Sequence, residues 1–324
     1  MMESRRRFLG ILGGLSALPA LAACTRQAEK LAIGFQRNGI LFIARLRGEL
    51  DKRLQARIGV TPQWVEFPSG PPLIEAMSAG AVDFGAVGDT PVVYAQAAGL
   101  SLNLVAGKVY EGGIANSFLT GPQSGIRSAA DLKGRRIGYT RGSSAEVTAL
   151  VALEDAGLSA NDVERVFLAP GDGVSALERG SIDALFTWDP FFSIAEKRFG
   201  AREVRFDRAG LLATILYIAR TKLVEQQAPL LFAFLDELEG EADWANANQP
   251  EARKLLATAS RMPDADIAAM LARTGANPFG LEPPSERLVK NQQRVADTLL
   301  KGSSIQQPVD VRQIVWHGWK PAQP

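Results

Sequence analysis

The 324-residue sequence contains a single cysteine and a single histidine, and each scarcity excludes a kind of site. Cys24 cannot form a disulfide within the chain, and one thiol cannot hold an iron–sulfur cluster or a thiolate-bound zinc ion. His317, in the segment VWHGW, cannot build a histidine cluster and is expected to be a surface or packing residue. Gly-x-Ser-x-Gly, P-loop and Gly-x-Gly-x-x-Gly motifs are also missing. The sequence therefore predicts no metal, no cofactor and no catalytic activity.

An excess of charge of either sign is missing as well. The 36 Lys and Arg residues balance 35 Asp and Glu residues and leave a formal net charge of +1. Such a chain has no long-range field that would attract nucleic acid or an anionic bilayer. Its length allows two lobes with sizeable cores, and its composition is typical of a soluble globular protein. We expect a monomer whose partner is a small neutral or singly charged molecule.

The first 24 residues have the features of an export signal. A basic head is followed by an apolar stretch from Phe8 and by small residues before Cys24. Gly13, Gly14 and Pro19 interrupt this stretch, which is shorter than the about 20 apolar residues of a spanning helix. Ser4 to Leu9 resembles the twin-arginine export motif, and Leu21 to Cys24 resembles a lipobox. The sequence predicts export to the periplasm, a lipid anchor on Cys24 as the sole membrane attachment, and a tether over residues 25–30.

Short apolar runs alternate with helical patterns after residue 30, which is typical of an α/β fold with mainly parallel strands. Five strand–helix units are predicted, with strands in LAIGF, WVEF, DFGAV, RIGYT and ALFT. The helix of the first unit is expected to end near Ile58. Ser143 and Glu146 predict a capping box. Four glycines are expected to end helices in the left-handed conformation: Gly80, Gly99, Gly157 and Gly200.

Two further strands, in SLNLVAGKVY and ATILYIAR, indicate two crossings between lobes built from discontinuous segments. The sequence predicts a first lobe of residues 31–110 and 213–324 and a second lobe of residues 111–212. After Thr221 the pattern becomes helical. This helical C-terminal third is expected to pack on the first lobe.

Ligands of open α/β sheets bind outside the carboxyl ends of the strands, where the strand-to-helix turns meet. Helix N-termini gathered there would bind a small anion without a buried arginine. Any single turn of this kind is more often a plain helix cap than a ligand contact. Asp89 is expected to act mainly as a helix cap. For Asp189, a helix cap and a ligand contact are equally compatible with the sequence. The cations that flank the crevice, Arg37, Lys108 and Arg141, are expected to face solvent. The hydroxyl donors predicted for the anion are Ser69, Thr90, Ser143 and Ser144, and the glycines expected to let the backbone approach are Gly70, Gly88 and Gly142.

Several blocks carry a family resemblance, among them GFQRNGILFIAR, WVEFPSGPPLIEAMSAGAVDFGAVGDTPVVYAQAAG and ALERGSIDALFTWDPFF. They resemble the aliphatic sulfonate-binding proteins of bacterial ABC importers, relatives of the taurine- and nitrate-binding proteins. The resemblance implies a type II periplasmic-binding fold, with two α/β lobes that close on a ligand by hinging at two crossover strands. Arg37 departs from the lysine that relatives often carry. The implied ligand contacts are Gln36, Ser69, Gly70, Gly88, Asp89, Thr90, Gly142, Ser143, Ser144, Trp188 and Asp189.

The function that this implies is capture of an aliphatic sulfonate and its delivery to a permease and an ATPase for sulfur supply. A sulfonate stays anionic at any physiological pH and offers three acceptor oxygens, and Trp188 is the predicted apolar wall for its tail. Four alternatives remain open: taurine held by Asp89 or Asp189, nitrate, an aromatic sulfonate, or a sensory or structural module without transport. An enzyme that makes a thiamine pyrimidine precursor is disfavoured, because it would need a histidine-rich site.

Overall fold

The computed structural model describes residues 30–110, 116–208 and 210–321, with the backbone alone for Asn116 and Ser117. The predicted export signal, Cys24 and the tether up to residue 29 lie outside the described residues. Within the described ranges no helix is both long enough and apolar enough to cross a lipid bilayer.

Two five-stranded sheets organise the described residues. The first sheet has the strand order β2-β1-β3-β10-β4 and the second has the order β7-β6-β8-β5-β9. The strands of the first sheet are β1 (Ala32–Phe35), β2 (Gln63–Glu66), β3 (Phe84–Val87), β4 (Leu102–Tyr110) and β10 (Ala213–Arg220). Those of the second are β5 (Asn116–Thr120), β6 (Arg136–Tyr139), β7 (Glu164–Phe167), β8 (Ala184–Trp188) and β9 (Arg202–Glu203). The predicted α/β class with two lobes is confirmed.

The two sheets share one topology. In the first sheet β1 pairs in parallel with β2 and β3, and β10 runs antiparallel between β3 and β4. In the second sheet β6 pairs in parallel with β7 and β8, and β5 runs antiparallel between β8 and β9. Strands β10 and β5 each follow a crossing from the other sheet. The predicted lobe boundaries, at 110/111 and 212/213, fall between strands of different sheets.

Twelve α-helices lie within the described residues. They are α1 (Gly39–Arg47), α2 (Glu49–Ile58), α3 (Gly70–Ser78), α4 (Asp89–Ala97), α5 (Ser144–Asp155), α6 (Pro170–Glu178), α7 (Phe191–Phe199), α8 (Thr221–Gln226), α9 (Ala228–Ala247), α10 (Gln249–Ser260), α11 (Asp264–Ala272) and α12 (Glu286–Lys301). The four glycines predicted to end helices all have positive φ angles.

Two helices replace the single helix predicted to end near Ile58. Gly48 adopts a left-handed conformation with φ of 66°, and its N–H donates to the carbonyl of Ala44 to end α1. Helix α2 then begins at Glu49. The prediction was wrong because the apolar pattern continues through Gly48, while its backbone conformation breaks the helix.

A sixth strand–helix unit, β7 with α6, was not predicted from the sequence. Strand β7 lies at the edge of the second sheet and leaves most of its side chains exposed or half-buried. Such a strand lacks the apolar run by which buried parallel strands are found.

The helical C-terminal third contacts both lobes, so the expectation that it packs on the first lobe was only partly correct. Helices α9 and α10 pack against α1 in the first lobe, whereas α12 lies against both α4 and α5. A shared apolar cluster joins the two lobes there, with Val93 from α4, Val147, Leu150 and Val151 from α5, and Val295 and Leu299 from α12.

Candidate functional site

A cavity of about 130 Å³ lies between the two lobes, at the carboxyl ends of the strands. Residues from both sheets, both crossover strands and the α11 region line it. They are Gln36, Asn38, Gly39, Gly70, Gly88, Pro91, Tyr110, Ser143, Ser144, Trp188, Asp189, Thr214, Ile215, Met270, Leu271, Thr274, Pro278 and Phe279. None of these lining residues is a lysine or an arginine, so an anion bound here would depend on neutral donors and on peptide dipoles.

Helix N-termini converge on this cavity as the sequence predicts. Helix α1 begins at Gly39 and α3 at Gly70, while Gly88 and Ser143 are the N-cap residues of α4 and α5. All four residues line the cavity. Each helix start carries a partial positive charge of about half an elementary charge, so the four together favour an anionic guest.

Two buried hydroxyls at the cavity have no hydrogen-bond partner among the described residues. One is Oγ of Ser144, at the start of α5, and the other is Oγ1 of Thr214, on the crossover strand β10. A buried hydroxyl left unpaired costs free energy unless a ligand or water satisfies it. Their position in the cavity wall makes these two groups the strongest candidates to donate to a bound anion.

Tyr110 and Gln36 add polar groups to the wall. Burial raises the pKa of Tyr110 to about 12, so its phenol stays neutral and remains an O–H donor at physiological pH. Nε2 of Gln36 donates to the carbonyl oxygen of Ala86 at 3.2 Å, which orients the side-chain amide at the end of β1.

The turn that begins α5 holds most of its donors internally. Oγ of Ser143 donates to the carbonyl of Thr140 at 2.6 Å and accepts from the N–H of Ala145. The N–H of Gly142 donates to Oε2 of Glu146 at 2.7 Å. The predicted capping box is therefore displaced by one residue, because Glu146 accepts from Gly142 rather than from Ser143. The predicted donor role of the Ser143 hydroxyl is not available in this arrangement.

The neighbouring turn also holds its polar groups internally. Oδ1 of Asp89 accepts from the N–H of Thr90 at 2.6 Å and from its hydroxyl at 3.0 Å. The expectation that Asp89 is a cap was wrong, because Asp89 is the first residue of α4 and Gly88 is the N-cap. Burial raises the pKa of Asp89, and the neighbouring Ser144 and Thr90 side chains oppose this shift. The Ser144 hydroxyl lies near this carboxyl without the geometry of a hydrogen bond. Asp89, Thr90, Ser69 and Gly142 all lie behind the cavity wall rather than in it.

Asp189 lines the cavity but is already paired. Its Oδ2 accepts from Nε of Arg273 at 2.8 Å, and its Oδ1 accepts from Nη2 of Arg273 at 2.9 Å. The N–H and hydroxyl of Ser193 also donate to Oδ1. Of the two uses left open by the sequence, the structure shows that Asp189 accepts from the first turn of α7, whereas a contact with a ligand stays a prediction.

An apolar wall faces these polar groups. Trp188 lines the cavity, as predicted, and meets the ring of Phe191 edge-on at 6.0 Å between centroids. Ile215, Met270, Leu271 and Phe279 complete the wall. The apolar side suits an alkyl or aryl group and the polar side suits an anionic head.

The other charged candidates lie away from the cavity. Arg37 forms an exposed ion pair with Glu66 at 2.7 Å, and Arg141 is exposed and lies over the ring of Phe167. His317 is exposed and does not line the cavity. Among the described residues, no group of His, Cys, Asp and Glu side chains could hold a metal ion.

Sequence reasoning missed the contributions of the crossover strands and of α11. Tyr110 is the last residue of β4 and Thr214 is the second residue of β10, so both could have been found as the ends of the two predicted crossing strands. Met270 and Leu271 belong to a helix more than 80 residues along the chain from Asp189, and their pattern is that of ordinary core residues.

Comparison with known proteins adds independent information. The family described as NMT1/THI5 like matches residues 65–252, which is more than half of the chain. A curated protein of Escherichia coli (strain K12), described as an aliphatic sulfonates-binding protein, is 33% identical over 312 residues, which cover 95% of each chain.

Solved structures show the same likeness. The alkanesulfonate-binding protein SsuA from Xanthomonas axonopodis pv. citri, bound to MOPS, is 31% identical with a TM-score of 0.81, covering 89% of this chain and 98% of that chain. The desulfurization enzyme DSZB is 16% identical with a TM-score of 0.65, covering 90% of this chain and 97% of that chain. The second likeness is one of fold alone, and it shows that this fold also occurs in an enzyme.

Proposed function

The chain belongs to the NMT1/THI5-like family, and on that premise we propose that it is the substrate-binding protein of an ABC importer and captures aliphatic sulfonates. The resemblance found in the sequence blocks is confirmed by these comparisons. One observation carries the proposal: an interlobe cavity joins unpaired hydroxyls and helix N-termini on one side to an apolar wall on the other. A sulfonate group and an alkyl tail match those two sides.

Capture requires no bond to be made or broken. The sulfonate oxygens would accept from Ser144 of the second lobe and Thr214 of a crossover strand, so that one guest touches both lobes. Such contacts favour the closed arrangement over an open one, because the guest gains them only when the lobes meet. A permease and an ATPase would then receive the closed, loaded protein in the periplasm.

The alternatives fit the cavity less well. Asp189 is paired with Arg273, and Asp89 lies behind the wall, so neither carboxylate is free to hold the ammonium group of taurine. Nitrate has no part that would use the wall of Trp188, Ile215 and Met270. An aromatic sulfonate would use that wall, and it therefore belongs in the ligand panel.

Titration calorimetry against a panel of ligands tests the proposal. The panel holds linear alkanesulfonates, taurine, nitrate and an aromatic sulfonate. We expect the alkanesulfonates to bind most tightly, with Kd values well below about 1 mM. Binding of nitrate with no binding of any sulfonate would overturn the proposal, and a preference for the aromatic ligand would correct the tail specificity.

Two substitutions locate the anion. Ser144→Ala and Thr214→Val each remove a hydroxyl that has no protein partner, so each is expected to weaken alkanesulfonate binding about 5- to 150-fold, equivalent to about 1–3 kcal/mol. Thr258→Val is the matched control, because the Thr258 hydroxyl bonds the carbonyl of Lys254 on the exposed side of α10. Affinities that are unchanged in both cavity variants would place the anion elsewhere.

The anchor predicted from the leader is a separate proposal. We infer export and lipidation of Cys24 from the basic head, the apolar stretch and the lipobox, all of which precede the described residues. Mass spectrometry of the membrane fraction tests this inference. Acyl chains on Cys24 support the anchor, whereas a mature chain that begins after Cys24 in the soluble fraction would contradict it.

A further inference from the structure

Asp189 is the one Asp, Glu, Lys, Arg or His among the described residues that line the cavity. An unpaired carboxylate there would repel an anionic guest and attract a cationic group on that guest. The structure instead pairs the carboxylate with Arg273 in a two-pronged arrangement, with N···O distances of 2.8 and 2.9 Å. The side chains of both residues are largely buried, at 17% and 20% exposure.

The pair joins the two lobes. Asp189 follows β8 in the second lobe, whereas Arg273 is the C-cap of α11, a helix whose Ile267 and Met270 belong to the core of the first lobe. A second contact runs parallel to it, from Lys197 on α7 to Asp266 on α11 at 3.2 Å. The carboxylate of Asp189 is therefore covered by a residue of the opposite lobe.

The pair also adjoins the apolar wall of the cavity. Leu271, two residues before Arg273, and Trp188, directly before Asp189, both belong to that wall. A tail that packs on this wall would approach the pair. Other charges nearby are Glu196, whose carboxylate lies 3.8 Å from Nη1 of Arg273, and the Lys197–Asp266 pair. The guanidinium also lies over the ring of Phe192, 4.5 Å from its centroid, which holds it in place.

We propose that Arg273 masks Asp189 and thereby makes the cavity select sulfonates with an uncharged tail over those whose tail ends in an ammonium group. The inference rests on the proposed function and specifies its substrate class. With Arg273 in place, a terminal ammonium loses its water and finds no free carboxylate. Without Arg273, the same ammonium would pair with Asp189. Arg273 is thus a specificity-determining residue that acts through Asp189.

A pair of isosteric ligands isolates this effect. Propane-1-sulfonate and taurine have the same head and the same chain length, and differ in a terminal methyl group against a terminal ammonium group. The measured quantity is the ratio of their two Kd values by calorimetry, because a general loss of packing or closure weakens both ligands and leaves their ratio unchanged.

Wild-type protein is expected to bind propane-1-sulfonate at least about tenfold more tightly than taurine. In Arg273→Gln this preference is expected to fall by about tenfold or more, since Asp189 becomes free. In the double variant Asp189→Asn/Arg273→Gln the preference should return, because the free carboxylate is gone. In Asp189→Asn alone it should exceed the wild-type value, because the guanidinium keeps only the more distant Glu196 carboxylate, 3.8 Å from its Nη1, and repels the ammonium group.

Arg198→Gln is the matched control, since Arg198 lies on α7, the helix that follows Asp189, pairs with Glu178 and is outside the cavity. A ratio that stays within about twofold of wild type in both Arg273→Gln and Asp189→Asn would overturn the inference. If Arg273→Gln does not fold, Asp189→Asn decides the question alone. Wild-type binding of taurine as tightly as propane-1-sulfonate would also overturn it, whereas wild-type binding of neither would overturn the proposed function itself.

Discussion

Asp89 is a buried carboxylate directly behind the anion side of the cavity. Its neighbour Gly88 lines the cavity, and the hydroxyl of Ser144 lies close enough to favour its charged form. Burial is nevertheless the largest influence, and it raises the pKa of Asp89. A group with a raised pKa in the folded state stabilises the fold below its unfolded pKa, and this stabilisation is lost as the pH rises through the folded value.

This raised pKa predicts a pH dependence of binding. A sulfonate keeps its charge at every accessible pH, so a change in affinity reports a titrating group of the protein. Protonation of Asp89 removes a negative charge near the guest, so affinity for an alkanesulfonate should rise as the pH falls through the pKa of Asp89, which lies above the ordinary value of about 4. Calorimetry from about pH 8 down to about pH 4 measures it.

Asp89→Asn should bind at low and neutral pH with the same affinity, because the titrating group is gone. It should also gain stability over wild type at neutral pH but not at acidic pH. Glu196→Gln is the control, since burial also raises the pKa of Glu196, which lies near Arg273. If the pH dependence disappears in Glu196→Gln and persists in Asp89→Asn, the assignment to Asp89 is wrong.

At the scale of elements, the turn before α4 and the turn before α5 meet without room for a side chain. A Cβ atom on Gly88 would lie 2.0 Å from Oγ and 3.2 Å from Cβ of Ser144, in the other lobe. The φ angle of Gly88 is −70°, an ordinary value for any residue. The close approach of the two turns, and not backbone conformation, therefore disfavours a side chain here, since the Ser144 hydroxyl would have to rotate away and its Cβ to shift.

Gly88→Ala should consequently fold but close poorly. We expect alkanesulfonate affinity to fall by at least about tenfold, or about 1.4 kcal/mol, because the lobes cannot reach their contact distance. Calorimetry measures the loss and a thermal melt verifies the fold. Gly121→Ala is the control, since a Cβ there meets no atom within 4 Å. Wild-type affinity in Gly88→Ala would show that this approach is not needed for binding.

At the scale of the whole molecule, the lobes share an apolar cluster in addition to the cavity. Leu150 and Val151 of α5 pack with Val93 of α4 and Val295 of α12, so part of the second lobe is buried against the first. Two lobes joined only by crossover strands could unfold separately. A shared core makes their unfolding interdependent.

We therefore expect one thermal transition in wild type, with equal calorimetric and van't Hoff enthalpies. Ligand at about 100 times its Kd should add about 2.7 kcal/mol to the free energy of unfolding. Leu150→Ala should cost about 2–5 kcal/mol and separate the transition into two steps. Leu119→Ala, in the core of the second lobe alone, is the control and should leave a single destabilised transition. Two transitions in wild type would contradict the coupling.

Much of the element order was predictable because its signals are local. Apolar runs that alternate with helical patterns predicted the strands on either side of the cavity. The predicted strand ATILYIAR has the same first and last residues as β10. Capping patterns predicted that a helix follows each of the turns before α3, α4 and α5, and the structure begins these helices one to three residues before the predicted runs PLIEAMSA, VVYAQAA and AEVTALVALEDA. Edge strand β7 and the break at Gly48 were missed, since one lacks an apolar run and the other depends on a single backbone angle.

Hydrophobic period and helix capping act over a few residues, so the two-lobed α/β architecture and the set of turns that face the cleft could be predicted from the chain alone. Which donors of those turns stay free depends on packing between distant segments. Ser143 and Ser144 are adjacent serines, yet the Ser143 hydroxyl donates to the carbonyl of Thr140 and the Ser144 hydroxyl is left unpaired in the cavity. Arg273 pairs with Asp189 across 84 residues of sequence, and a local sequence pattern cannot predict a contact between residues so far apart.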